Sequence, residues 1–395
     1  MKTAPPLPHA RLAALLVAVC GIAHAQPPIA PEELVAPEVG ISGGNVTLTV
    51  QPSVAGRSYK LEYSGSMVGD TWQDSGVVRV GDGNDLVITT PYEPGMPRRI
   101  YRLVLDGPPA APPAPDGFEQ IPAGSFLMGD SLGDGGTAEL PVHTVQVSTF
   151  YMAKYEVTKA LWDEVLTWGV ANGYPDLRMG GGKAATHPVQ NISWYEMVKW
   201  CNARSQKEGL TPCYYTDAAQ TAVFKTGTNK LDNTMVKWSA NGYRLPTEAE
   251  WEKAARGGLS GRRFPWGDKI NHTYADYYNG SYNYESPKSQ GYHPTYNDGV
   301  APYTAPVGNF AANGYGLYDM AGNVWEWCWD WHSSSYYTSS PGSDPRGAAT
   351  GSYRVLRGGG WDHFAYYCRV AARYDYPAGS GSDLMGFRLV RSSVP

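Results

Sequence analysis

The sequence predicts two folded parts of different class, a small all-β sandwich domain followed by a larger α+β domain with much irregular structure. Three observations predict this. Residues 107–115 read GPPAAPPAP, a run whose locked φ angles and missing amide donors favour an extended spacer. Before that run apolar residues alternate with a period of two, and after it three helix starts stand among stretches rich in Gly, Tyr and Trp. The composition agrees: 46 Gly and 31 Pro in 395 residues, with only 17% charged, suit a turn-rich globular chain and not a helical bundle. With 42% apolar residues the chain can bury a sizeable core, which excludes intrinsic disorder.

Residues 1–25 stand apart from the fold. Lys2 and Arg11 make a basic start, residues 12–23 an apolar stretch, and Ala23-His24-Ala25 a small-x-small cleavage site before Gln26. That pattern is a secretory signal peptide, so a secreted or periplasmic mature chain starting near Gln26 is expected. Cys20 raises the alternative of a lipid anchor, but Val19 before it is too bulky for the usual lipidation motif. Past the leader no apolar run is long enough to cross a membrane, so no transmembrane segment is expected in the mature chain.

Residues 26–106 carry the sandwich. Val46, Leu48 and Val50, then Tyr59, Leu61 and Tyr63, then Leu86 and Ile88, then Tyr101, Leu103 and Leu105 each alternate with polar residues. Gly- and Asn-rich clusters such as 81–84 separate them, as expected for short antiparallel strands. No titratable cluster occurs here, and a spacer or adhesion module is the reading.

Residues 116–395 carry the second domain. Ser193 with Glu196 and Thr247 with Glu250 are capping boxes, in which the hydroxyl accepts from the N3 amide and the Glu reaches back. Gly209 and Gly257 punctuate the two helix ends. A third helix is predicted over 158–170, with Leu161, Val165 and Trp168 or Gly169 facing inward. The remaining Gly-, Tyr- and Trp-rich chain calls for ions or disulfides to hold it.

Charge and cysteine content bound the partners. Removing Lys2 and Arg11 from the 32 basic residues leaves 30 against 37 acidic ones, with no basic run. A nucleic-acid partner is therefore not expected, since phosphate neutralisation needs clustered Lys and Arg. Cys201, Cys213, Cys328 and Cys368 survive cleavage, and an exported chain meets an oxidising compartment. Of the three pairings four cysteines allow, Cys201–Cys213 is favoured as a short local loop and Cys328–Cys368 because both lie among core-like aromatic residues.

Several phrases carry a resemblance. They are 121–129 (IPAGSFLMG), 155–158 (YEVT), 187–189 (HPV) with Ser193-Trp194, 244–252 (RLPTEAEWE), 264–267 (FPWG), 313–327 (NGYGLYDMAGNVWEW), 357–359 (RGG) and 386–388 (GFR). In this order, across 118–391, they resemble the formylglycine-generating enzyme, or sulfatase-modifying factor, family. The resemblance implies a variant C-type-lectin-like domain: a small central sheet, two or three helices, much irregular chain and bound calcium. Asp319, Asn323 and Glu326 independently place hard oxygen donors within eight residues, beside a turn at Gly322. The family pattern implies side-chain ligation by Asp319 and Glu326 and carbonyl ligation by Gly322 and Val324. A second calcium set would be Asp276, the Tyr277 carbonyl, Asp298 and the Val300 carbonyl, with one extra residue after Asp298 disturbing the match. The alternative for Glu326 is a buried carboxylate paired with Arg357 or Arg373.

The chemistry is where the match fails. The family's oxidases convert a substrate cysteine to formylglycine with O₂ and a Cu(I) held by two cysteines that follow a Gly-Gly-Ser. Soft thiolates suit that ion. Counting forward from Gly358, Cys368 falls on the second cysteine, His363 on the first and Gly360 on the serine. Counting back from Ala371-Ala372-Arg373, three residues are missing and neither cysteine matches. Copper is therefore not expected, and catalysis is assigned only weak candidates, Cys368 and His363. His143 and His187 have no second His at metal spacing, and no HExxH, GxSxG or phosphate-binding glycine loop occurs.

The tail is rich in residues used by paratopes. Trp361, Asp362, His363, Phe364, Tyr366, Tyr367, Tyr374, Asp375 and Tyr376 surround a frame of Cys368, Arg369, Arg373 and Pro377, and Tyr supplies large contact area with few rotors. This looks like the ligand-binding face of catalytically silent family members and is similar to the variable segment of lectin-fold proteins diversified by retroelements. The leading expectation is a calcium-stabilised, lectin-like binding module for a protein, peptide or glycan ligand. The competing ones are a copper- and O₂-dependent oxidase or accessory factor for sulfatases, and a structural component of the cell envelope. Fold resemblance alone does not choose among them.

Overall fold

The computed structural model describes residues 38–42, 45–50, 58–64, 73–80, 86–91, 100–106, 114–288 and 290–393. The expected leader over 1–25 and residues 107–113 of the expected spacer lie outside the described residues. Chain contacts divide the protein into two units, Met1–Ala111 and Pro112–Pro395.

The first unit holds β1 (Glu38–Ser42), β2 (Asn45–Val50), β3 (Ser58–Ser64), β4 (Gln73–Val80), β5 (Leu86–Pro91) and β6 (Ile100–Asp106). They form two three-stranded antiparallel sheets, ordered β1-β2-β5 and β4-β3-β6. Val46, Leu48 and Ile88 from one sheet and Tyr59 and Leu61 from the other share one core, because alternation sends every second side chain to the same face. Sequence reading missed β1 and β4. In β4 the signal is weak because Val78 is exposed and the pairing with β3 slips between Lys60 and Glu62.

The second unit begins with β7 (Phe118–Ile121), β8 (Gly124–Met128), β9 (His143–Val147) and β10 (Phe150–Ala153). Helices α1 (Lys159–Ala171), α2 (Trp194–Lys207) and α3 (Glu248–Arg256) follow, with β11 (Tyr243–Arg244) ahead of α3. The chain closes with β12 (Trp325–Trp331), β13 (Tyr353–Arg357), β14 (Tyr374–Pro377), β15 (Met385–Gly386) and β16 (Val390–Ser392). One four-stranded sheet runs β11-β16-β10-β7, a second runs β14-β13-β12-β15, and β8 pairs with β9. Ser193 and Thr247 cap α2 and α3 through reciprocal capping boxes, and α3 ends at Gly257 in the left-handed region. Thr158 caps α1 by accepting from the Leu161 amide at 3.2 Å.

The inward face of α1 is Trp162, Val165 and Gly169. Leu161 and Trp168, expected there, are only half-buried. The helix is turned by one residue because the Trp162 indole stacks on Trp200 of α2, with ring centroids 5.5 Å apart and planes 2° from parallel, and meets Phe387 edge-on.

Every residue of α3 is buried, including Glu248, Glu250 and Glu252. Each of these carboxylates has an arginine. Arg373 reaches Glu248 at 2.6 and 2.8 Å, Arg244 reaches Glu250 with both bonds at 2.7 Å, and Arg357 and Arg256 reach Glu252 at 2.5 and 2.6 Å. Beyond the helix, Arg388 forks onto Glu326 at 2.6 Å twice and Arg369 onto Glu139 at 2.7 and 2.8 Å. Two parallel N–H···O bonds match a guanidinium to a carboxylate, the geometry that offsets the desolvation of both ions.

The expected disulfides are not formed. Cys201, Cys213, Cys328 and Cys368 are all free and buried. Cys201 and Cys213 lie near each other, and burial together with the neighbouring thiol pushes Cys201 well up. Cys328 and Cys368 sit in different apolar clusters, the first with Trp251 and Val355, the second with Phe264, Ile270 and Tyr277. Being aromatic-flanked marked both as core but did not mark them as neighbours.

Arg388→Met leaves Glu326 buried without its counter-ion and is expected to cost about 3–5 kcal/mol in urea denaturation, whereas adding Glu326→Met to it restores part of that loss.

Candidate functional site

Asp319, Gly322 and Asn323 all adopt positive φ, so 319–323 is a tight turn leading into β12. Gly322 is required there, since a Cβ would stand 2.2 Å from the Asp276 carbonyl oxygen. The turn is tied down on four sides. Gly322 N–H donates to the Gly358 carbonyl and Asn323 N–H to the Asp276 carbonyl, both at 2.8 Å. The Asn323 side chain accepts from the Ala305 amide at 3.0 Å and donates to Glu156 at 2.7 Å.

These ties gather Glu156, Asp276 and Asp319, all buried. Neither carboxylate oxygen of Asp276 has a hydrogen-bond partner, and Asp319 Oδ1 has none, while Asp319 Oδ2 accepts from the Gly308 amide at 2.6 Å. Burial holds the Asp276 carboxyl well above its ordinary value, with the Asp319 charge adding to the effect. Burial pushes Asp319 up to about 6, against the Gly308 amide and Arg388, which favour its ionised form. Glu156 is held high by burial, then by Asp319 and Glu326. Unsatisfied carboxylate oxygens in a buried turn fit a hard divalent cation, for which oxygen is the preferred donor. Asp276 and Asp319 are the residues here that would hold one.

The residues of the two calcium sets implied by the resemblance have the following partners. In the first set Arg388 donates to both oxygens of Glu326, and the Trp251 indole donates to Oε2 at 2.7 Å. It is the paired carboxylate of the alternative reading, but with Arg388 instead of Arg357 or Arg373. Gly322 and Val324 remain beside Asp319 in the turn. In the second set Asp276 is buried, whereas Asp298 is exposed and accepts from Lys183 Nζ at 2.7 Å. The same ammonium donates to the Val300 carbonyl at 3.1 Å, and the Tyr277 carbonyl faces His272 Nε2 at 3.0 Å. Among the described residues no group of three or more His, Cys, Asp or Glu side chains is arranged to hold a metal.

His363 and Cys368 face different surroundings. The His363 ring packs against Trp325, Tyr367 and Tyr374, with centroids 5.4, 5.4 and 6.4 Å away, and burial holds it below its ordinary value. Cys368 lies under Gly359, whose added Cβ would stand 2.7 Å from Sγ. Burial, then the charges of Asp276 and Glu285, push its thiol far up. A buried thiol held in its protonated form and an imidazole enclosed by aromatic rings do not fit a soft copper ion, and no step is derived through one. His143 Nδ1 lies 3.0 Å from the Pro141 carbonyl and His187 Nδ1 3.0 Å from Thr304 Oγ1, both structural contacts.

The tail residues divide. Phe364, Tyr366, Tyr367, Tyr374 and Tyr376 are half-buried or exposed, but Trp361 is buried and its indole donates to the Asp383 carbonyl at 3.2 Å. Asp375 lies between Tyr374 and Tyr376 on β14 and so points to the opposite face, toward His332 Nδ1 at 3.6 Å. Sequence reasoning missed the second half of this surface. The Tyr278 amide donates to the His363 carbonyl, and Tyr278 meets Phe364 at 5.5 Å and Tyr292 at 4.8 Å. Tyr292 meets Tyr303 at 4.8 Å, and Tyr282 meets Phe364 at 6.0 Å. A hydrogen bond to Asp362, with partial burial, pushes the Tyr292 hydroxyl up to about 12. The density of tyrosine between 274 and 303 was the available signal.

Mixed short sheets, three helices and long stitched loops define a formylglycine-generating-enzyme-like, C-type-lectin-like fold. Residues 108–393 match the family described as sulfatase-modifying factor enzyme 1-like domain, and the chain belongs to that family. It is 36% identical over 307 residues to a formylglycine-generating enzyme of Streptomyces coelicolor, covering 73% of this chain and 93% of that one. It is 36% identical over 257 residues to "Chaperone protein LppX" of Paenibacillus barcinonensis, covering 63% and 82%. Among solved structures it is similar to Treponema denticola variable protein 1, with TM-score 0.54 and 30% identity over 70% of this chain and 94% of that one.

The raised Asp319 pKa means that the folded state binds an extra proton between about pH 4 and 6, so stability falls as pH rises through that window. In the presence of a chelator Asp319→Asn is expected to remove about 2 kcal/mol of that fall, read by urea denaturation at pH 4 and pH 7.

Proposed function

We propose that this protein is an exported binding protein. Its second unit is a catalytically silent, calcium-stabilised, lectin-like module that offers the aromatic surface to a protein, peptide or glycan ligand. The observation that carries this reading is the joining of 278–303 and 361–376, far apart in sequence, into one half-exposed tyrosine-rich face around His363 and Phe364. Tyrosine there supplies broad contact area with little rotamer entropy to lose. The buried thiol of Cys368 supports catalytic silence, since the thiolate and not the thiol is the reactive form. The relatives whose names refer to a chaperone and a variable protein support binding as a function for this scaffold. Calcium at Asp276 and Asp319 would neutralise two buried carboxylates and hold the 319–323 turn against 276. The pattern of residues 1–25 supports export.

A second reading, a copper- and O₂-dependent oxidase or accessory factor acting on a sulfatase cysteine, is favoured by the 36% identity to the Streptomyces coelicolor enzyme along 93% of its length.

Incubating full-length protein with copper, O₂ and a sulfatase-derived cysteine peptide distinguishes the two readings. Mass spectrometry is expected to find unmodified peptide, and an aldehyde product returns the oxidase. On glycan and peptide arrays the protein is expected to retain a discrete set of ligands whose affinity drops about tenfold or more in Tyr278→Ala and Tyr292→Ala, the range of a buried aromatic anchor. Equal retention by the variants would remove the aromatic face from the proposal. Millimolar calcium is expected to raise the Tm of the wild-type protein and not of Asp319→Asn.

A further inference from the structure

Lys183 stands where a cation would be expected if Asp298 and the Val300 carbonyl were ligands. Its ammonium donates to Asp298 Oδ1 at 2.7 Å and to the Val300 carbonyl at 3.1 Å, and lies 5.7 Å from the centre of the Tyr303 ring. Those two oxygens belong to the second calcium set implied by the sequence, so one protein group takes both at once.

The lysine is delivered there by a stitched segment. Gly181 and Gln190 exchange backbone hydrogen bonds at 2.6 and 2.9 Å. The Ala160 amide donates to the Ala185 carbonyl and the Lys159 amide to the His187 carbonyl, which fixes the segment to the start of α1. The Val307 amide donates to the Thr186 carbonyl at 3.0 Å. Opposite, Asp298 Oδ1 also accepts from the Val300 amide at 3.1 Å, closing the 298–300 turn around the ammonium.

We infer that the Lys183 ammonium is a tethered replacement for a divalent cation at this position, tying residues 181–190 to 298–300 without metal. A lysine ammonium is a compact point charge with three donors, enough to serve one carboxylate, one carbonyl and an aromatic face. A calcium ion needs six to eight oxygens at about 2.3–2.6 Å. Here Asp298 is half exposed, its Oδ1 already carries two donors, and a second positive charge would meet Lys183 at hydrogen-bond range. Asp276, the remaining side chain of that expected set, is buried on the side of the 319–323 turn, where the Asn323 amide holds its carbonyl. The inference is independent of whether the aromatic face binds a ligand.

The test uses full-length protein and four forms: wild type, Lys183→Met, Asp298→Asn and the double variant. Melting is followed in EGTA and in millimolar calcium chloride, and calcium stoichiometry by isothermal titration. In EGTA each single variant is expected to lower Tm by about 1–3 °C, the range for one partly exposed ion pair in a domain of this size. The double variant should fall no further than the larger single effect, because both substitutions remove the same contact. Calcium is expected to raise the Tm of Lys183→Met by more than it raises that of wild type, closing the gap between them because the oxygens are freed, and to leave the gap between Asp298→Asn and wild type unchanged. The calcium stoichiometry of Asp298→Asn should equal that of wild type. Loss of one bound calcium in Asp298→Asn, additive effects in the double variant, or no response of Lys183→Met to calcium beyond that of wild type would each overturn the inference.

Discussion

The second unit depends on arginine–glutamate pairs formed out of water. A nine-residue helix, α3, is buried on every side although three of its residues are glutamates. That is tolerable only because Arg256 within the helix and Arg244, Arg357 and Arg373 from outside it meet those carboxylates with short bonds. Such pairs contribute little over an apolar core of equal volume, but a single missing partner is costly. They therefore act as registration points: a strand or loop that brings its arginine to the wrong height leaves a charge unpaired. In a unit made largely of irregular chain, that specificity does what long sheets or helices do elsewhere.

The same logic accounts for where the pairing stops. Arg388 takes Glu326 fully, so the carboxylates next to it are left without an arginine of their own. Glu156 finds Asn323, Asp319 finds one amide, and Asp276 finds no side-chain partner. A fold that balances most of its buried charges leaves this acidic corner unbalanced, at the turn that enters β12. Proton uptake or a hard cation are the two ways to relieve it, and both act on the same turn.

The corner and the aromatic face are neighbours through the backbone. Gly322 is bonded to Gly358, and Asn323 accepts at its carbonyl from the Trp361 amide. The segment that begins at 357 therefore leaves the acidic turn and immediately becomes the tail that carries His363, Phe364 and Tyr367. In that tail Cys368 is buried and the His363 imidazole packs among aromatic rings.

Local signals in the sequence sufficed for whatever neighbouring residues decide. The capping boxes at Ser193 and Thr247 set two helix starts, period-two alternation set the strands around Val46, Tyr59 and Ile88, and the motifs from 121 to 388 set the family. Tertiary structure alone decided which arginine met which glutamate, why Trp162 and not Leu161 faces inward, that Lys183 reaches Asp298, that Cys328 and Cys368 fall in different clusters, and that tyrosines 278–303 join 361–376. The physical reason is range. Caps, turns and alternation are written in bonds a few residues long, whereas pairs such as Arg388 with Glu326 and Arg369 with Glu139 join segments 62 and 230 residues apart, whose approach no local pattern encodes.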